Sequence, residues 1–104
     1  MVFEDVRVAG YLIANIDVKN TAIFDQYRSR VAPLIAQYGG RYLVRGGAVA
    51  SVEGALPLKR LVILEFPSLE KARAFYDSAD YAPLIALRKE GAECDIVLVE
   101  GYDG

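Results

Sequence analysis

The stretch Arg60 to Tyr76 reads RLVILEFPSLEKARAFY. Its first half, RLVILEF, is a short run of β-branched and other large apolar side chains, the pattern of a central strand. Pro67 closes the run, having no backbone N–H to continue a sheet ladder. Ser68 supplies a hydroxyl that can cap a helix. Leu69, Ala72, Phe75 and Tyr76 then recur three and four residues apart, so one side of that helix is apolar. The stretch is a strand followed directly by an amphipathic helix.

A matching unit lies 50 residues upstream, where YLIANI (Tyr11–Ile16) aligns with LVILEF (Leu61–Phe66) and APLIA (Ala32–Ala36) recurs unchanged as Ala82–Ala86. The upstream strand is expected over Arg7–Asp17. Its helix, Thr21–Tyr38, carries Phe24, Tyr27, Val31, Leu34, Ile35 and Tyr38 on one side, with Asn20 or Thr21 as cap and Gly39–Gly40 as terminator. Pro33 removes a donor inside the helix and is expected to kink it. Between the two units, RYLVR (Arg41–Arg45) alternates charged and apolar residues into a Gly46–Gly47 turn and a loop to Pro57. A further helix from near Ser78 to Gly91 gathers Tyr81, Leu84, Ile85 and Leu87–Arg88, and DIVLVE (Asp95–Glu100) is the last strand. The order is βαββαβ with an extra helix before the final strand. It predicts an α+β, ferredoxin-like fold, a four-stranded antiparallel sheet with its helices on one face.

The 104 residues read as one domain, residues 1–104. Hydrophobic residues make up 54%, more than a small monomer readily buries, which points to a homo-oligomer. The absence of histidine removes His-based triads and imidazole metal ligands. The single cysteine, Cys94, rules out an internal disulfide and cysteine-rich metal sites and reads as a buried structural thiol. Neither metal nor cofactor is expected. Twelve basic against fourteen acidic residues, net −2 with no Lys/Arg run, argue against nucleic acid. The longest uncharged stretch, Val31–Gly40, is too short to span a bilayer. MVFEDVRV lacks the apolar core of a secretory signal, so the expected compartment is the cytoplasm.

A sheet covered on one side exposes its other face, and period-2 alternation identifies that face. Leu12, Ala14, Ile16 and Val62, Leu64, Phe66 are wholly apolar and suit the helices. Tyr11, Ile13, Asn15 and Leu61, Ile63, Glu65 form the open face, with one polar residue per strand. In the second strand, Arg41, Leu43 and Arg45 are expected to share it, with Tyr42 and Val44 toward the helices. An apolar face of this size marks an interface. Two copies packed sheet to sheet would cover it and leave a cavity between them, with Asn15, Arg41, Arg45 and Glu65 as its polar content.

GGRYLVRGG (Gly39–Gly47), EFPSLEKARAFYDSADYAPLIALR (Glu65–Arg88) and the closing VEG (Val99–Gly101) resemble the bacterial family called domain of unknown function thirteen-thirty, within the dimeric α/β-barrel superfamily. The resemblance covers about Gly10 to Gly101 and implies the ferredoxin-like dimer. The family itself has no assigned reaction. The superfamily includes cofactor-free monooxygenases, lactone isomerases and haem enzymes; the haem members rely on an axial histidine that this chain lacks.

Among candidate site residues, Arg45 and Arg41 can hold a carboxylate or phenolate through a bidentate guanidinium; alternatively Arg45 pairs with Glu65 or with the partner subunit, and Arg41, at the strand edge, is a solvated residue. Glu65 is the candidate catalytic base, with Asn15 or Tyr11 orienting it; alternatively it is a structural partner of arginine. Gly46–Gly47 lacks the spacing and Lys-Ser/Thr of a phosphate loop and reads as a turn. Ser78 reads as a helix cap and Tyr81 as core, although Tyr76 and Tyr81 could present phenols at a cavity mouth. The expectation is a homodimer holding a small anionic molecule, either a cofactor-free enzyme of monooxygenase or isomerase type, or a non-catalytic binding or structural module.

Overall fold

The computed structural model describes residues 8–103; Arg7, expected to open the first strand, lies outside them. The elements are β1 (Gly10–Val18), α1 (Thr21–Gln37), β2 (Arg41–Arg45), β3 (Arg60–Phe66), α2 (Leu69–Tyr76), α3 (Ala82–Gly91) and β4 (Ala92–Glu100). They form the expected ferredoxin-like α+β fold, with strand order β2-β3-β1-β4 and antiparallel neighbours throughout.

The alternation of side chains decides which face carries the helices. Leu12, Ala14 and Ile16 of β1 and Val62, Leu64 and Phe66 of β3 are buried with Phe24, Tyr27, Val31, Leu34 and Ile35 of α1 and Ala72 and Phe75 of α2. Asn20 caps α1, its side-chain oxygen accepting from Ile23 N at 3.1 Å. The helix runs unbroken through Pro33 and gives way at Gly39, whose φ of +80° favours glycine. Ser68 caps α2 by accepting from Lys71 N at 3.1 Å. The first turn of α2 lies against Gly10, where a Cβ would meet the backbone of Leu69; glycine is what lets helix and strand approach so closely.

The extra helix begins at Ala82 rather than near Ser78. Ser78 accepts from Tyr81 N at 3.1 Å and donates to Phe75 O at 2.8 Å, holding a turn that separates α2 from α3. The APLIA repeat therefore ends a continuous helix in the first half and opens a new one in the second. β4 begins at Ala92, three residues before the expected Asp95.

One expectation about the sheet is corrected. Arg41 faces Glu65 and Tyr42 faces Leu64, but Val44 faces Ile63 and Arg45 faces Val62. Leu43 is an extra residue, a bulge that reverses the side-chain phase of Val44 and Arg45. Arg45 consequently shares the helix side of the sheet with Val62, its guanidinium 4.2 Å from the centre of the Tyr42 ring. Val44, not Arg45, joins Ile63 on the open face.

Candidate functional site

The sequence-predicted residues fall into three separate places. Tyr11, Arg41 and Glu65 meet on the open face: Arg41 Nε donates to Glu65 Oε1 at 2.7 Å and Tyr11 Oη donates to Glu65 Oε2 at 3.3 Å. Both oxygens of that carboxylate thus have partners. Asn15 stands farther along β1 and holds the end of the long loop, donating from Nδ2 to Pro57 O at 3.1 Å and accepting from Lys59 N at 2.8 Å. Arg45 lies on the opposite side of the sheet.

On that side the sheet and helices enclose a cavity of about 40 Å³. Its walls are apolar, with Leu12, Val62, Leu64 and Phe75 among them, and four arginines reach it: Arg28 from α1, Arg45 from β2, Arg60 from β3 and Arg88 from α3. Among the described residues, no Asp or Glu lines it. The Nε atoms of Arg28, Arg60 and Arg88 are buried without a hydrogen-bond partner. Such donors are rare in folded proteins, because a buried group without a partner forfeits its hydration.

The arginines fall into two groups. Arg28, Arg45 and Arg60 surround Tyr42, whose phenol burial pushes above its usual range while the three cations pull it back. Arg45 is exposed and Arg28 and Arg60 are half-buried, so this group stands at the mouth. Arg88 is the inner group, only 4% exposed. Its Nη1 donates to Tyr81 Oη at 2.9 Å, and Tyr81 Oη is 2.7 Å from Tyr27 Oη. The Arg88 guanidinium also sits 6.0 Å from the centre of the Tyr27 ring. Burial raises the Tyr27 phenol far above its usual range, and Tyr81 adds to the rise. Tyr81 is raised by burial too, against the pull of Arg88. Burial opposes the charge on Arg88, but the oxygens of Tyr81 and Tyr27 and a hydrogen bond to Tyr76 outweigh it, so the guanidinium stays charged.

Sequence reasoning overlooked Arg28, Arg60 and Tyr27 as site residues and read Arg88 as packing. A signal existed. Arg28 lies four residues after Phe24 and three before Val31, on the apolar stripe of α1; Arg60 is in phase with Val62, Leu64 and Phe66; Arg88 follows Leu84 by four. Each is a cation at a position where the period demands an apolar residue.

Chemically the cavity offers N–H and O–H donors and fixed positive charge. Among the described residues it contains no carboxylate to take a proton, and its phenols stay protonated. It suits an anion and repels metal cations. Among the described residues, no three His, Cys, Asp or Glu side chains gather as metal ligands, and no helix is long and apolar enough to cross a membrane.

A family model, Domain of unknown function (DUF1330), matches residues 9–102. The chain belongs to the DUF1330 family. No curated protein matches it in sequence. Among solved structures, the DUF1330 chain is similar to a protein of unknown function from Rhodopseudomonas palustris, at 11% identity and TM-score 0.74, over 92% of this chain and 84% of that one. It is also similar to SnoaB, a cofactor-independent oxygenase from Streptomyces nogalater, at 11% identity and TM-score 0.57, over 92% and 94%. A Nitrosomonas europaea protein provisionally assigned as an antibiotic biosynthesis monooxygenase matches at 13% identity and TM-score 0.59, over 97% and 95%. At such identities the likeness is one of fold and carries no reaction with it.

Proposed function

We propose that this DUF1330 protein binds a small anionic molecule in the arginine-lined cavity between its sheet and α1. The observation that supports this reading is the lining itself: four guanidinium groups, three with an unpartnered buried Nε, and no carboxylate among the residues around them. An isolated buried cation costs several kcal/mol, and a bound anion offsets that cost. Arg45, singled out from the sequence as a ligand anchor, keeps that role from the helix side. The cavity holds no general base, so binding is favoured over proton abstraction. Isothermal titration with small carboxylates at fixed ionic strength tests the reading. Saturable one-to-one binding that weakens in Arg28→Met supports it, and the absence of heat across the series rejects it.

We further infer that a second copy of the chain covers the open sheet face. Leu43, Val97 and Val99 are exposed there and Tyr11, Ile13, Leu61 and Ile63 are half-buried, an apolar surface of the kind that marks interfaces. Light scattering should give twice the chain mass, falling to one chain mass in Val97→Glu. A parent protein at one chain mass rejects the dimer.

A further inference from the structure

We propose that the cavity selects a small molecule carrying two oxyanion groups a short distance apart, one set on Arg88 inside and the other held by Arg28, Arg45 and Arg60 at the mouth. The inference rests on the anion-binding reading and specifies its ligand class. Its basis is the division of positive charge into two poles of one cavity. The inner pole is a single guanidinium, 4% exposed, with an unpartnered Nε. Its neighbours are neutral phenols: Tyr81 accepts from Nη1 and is bonded in turn to Tyr27, and Tyr76 offers a further hydrogen bond, so Nε is the donor left without a partner. The outer pole carries two further unpartnered Nε atoms, on Arg28 and Arg60, and the exposed guanidinium of Arg45.

A single carboxylate would satisfy one pole and leave unpartnered donors at the other. A molecule with an anionic group at each end satisfies both, and guanidinium forks match carboxylate oxygens in pairs. The apolar lining, Val62 and Leu64 among it, suits a short hydrocarbon linker. The cavity volume of about 40 Å³ limits that linker. At ~10–15 Å³ for each water-sized group, it admits about three such groups inside, and the second charge remains at the exposed mouth.

The test compares succinate with butyrate, which has the same carbon chain and lacks the second carboxylate. Titration calorimetry on the whole chain at constant ionic strength should show succinate binding at least about tenfold more tightly. Arg88→Met and, independently, Arg28→Met should each reduce succinate to the affinity of butyrate; the second variant keeps the test decisive if the first does not fold. Arg73→Met, on the outer side of α2 and paired with Asp77, should leave both affinities unchanged. Equal affinities for the two ligands, both lost in Arg28→Met, would preserve the anion site and overturn the two-pole inference. An absence of binding by either ligand would overturn the anion site as well. Tighter binding of inorganic phosphate than of succinate would assign the mouth arginines to one compact anion and also overturn the inference.

Discussion

Tyr27 and Tyr81 share a buried hydrogen bond of 2.7 Å between their hydroxyl oxygens, and Arg88 Nη1 donates to the same Tyr81 oxygen at 2.9 Å. Tyr27 comes from the middle of α1 and Tyr81 from the turn before α3, so this contact ties the two halves of the chain together across the core. Phe75 adds to the join, its ring centre 4.5 Å from that of Tyr81. The pair also sets the chemistry of the inner cavity, since it holds Arg88 by Nη1 while its buried Nε has no partner.

Replacing Tyr81 by Phe keeps the ring packing and removes the shared oxygen, stranding the Tyr27 hydroxyl and Arg88 Nη1 together. A loss of about 1–3 kcal/mol of stability is expected, the usual cost of leaving buried polar partners unsatisfied. Urea unfolding of Tyr81→Phe beside the parent measures it. An unchanged midpoint would mean that the network contributes nothing to folding.

Stability should decline on the alkaline side. Burial pushes the phenols of Tyr27, Tyr42 and Tyr81 above their ordinary value of 10.0, so the folded chain holds these protons more tightly than the unfolded one. The resulting stabilisation is complete below that value and is lost as pH rises above it. The slope is about 1.4 kcal/mol per pH unit for each phenol ionised only in the unfolded chain. Urea midpoints at about pH 8 and about pH 11 should therefore differ, and differ less in Tyr27→Phe.

Gly46 serves the cavity from outside it. Its φ is +72°, and a Cβ there would collide with the Arg60 guanidinium. Gly46→Ala should cost about 1–2 kcal/mol from the left-handed backbone alone and displace Arg60 from the mouth. Weaker binding of succinate together with a lower melting temperature is the expected pair of results. Loss of stability with unchanged affinity would remove Arg60 from the ligand contacts.

Glu65 lies across the sheet from the cavity. Its partner Arg41 has a side chain 71% exposed, and exposed ion pairs contribute about 0.2–1 kcal/mol. Glu65→Gln should therefore shift stability by no more than that and leave anion affinity untouched. A clear drop in affinity would place the binding site on the open face instead.

Strand-and-helix order, caps and the apolar partition of β1 and β3 were legible in the residues because each depends on local period and local hydrogen bonds. Asn20, Ser68, Gly39 and the alternation through Leu12, Ala14 and Ile16 carry their meaning within a few neighbours. The two halves of the repeat likewise announced a ferredoxin-like sheet. Tertiary structure alone decided three things. A one-residue bulge at Leu43 turned Arg45 to the helix side, because sheet register depends on how β2 meets β3 and not on the alternation within β2. The extra helix, expected to begin near Ser78, starts at Ala82, because Ser78 is spent in a turn whose hydrogen bonds to Phe75 and Tyr81 close only when that turn folds. And Arg28, Arg45, Arg60 and Arg88, far apart along the chain, converged on one cavity only because α1, β2, β3 and α3 surround the same space; guanidinium charge is local to each residue, but its concentration in one place belongs to the packing.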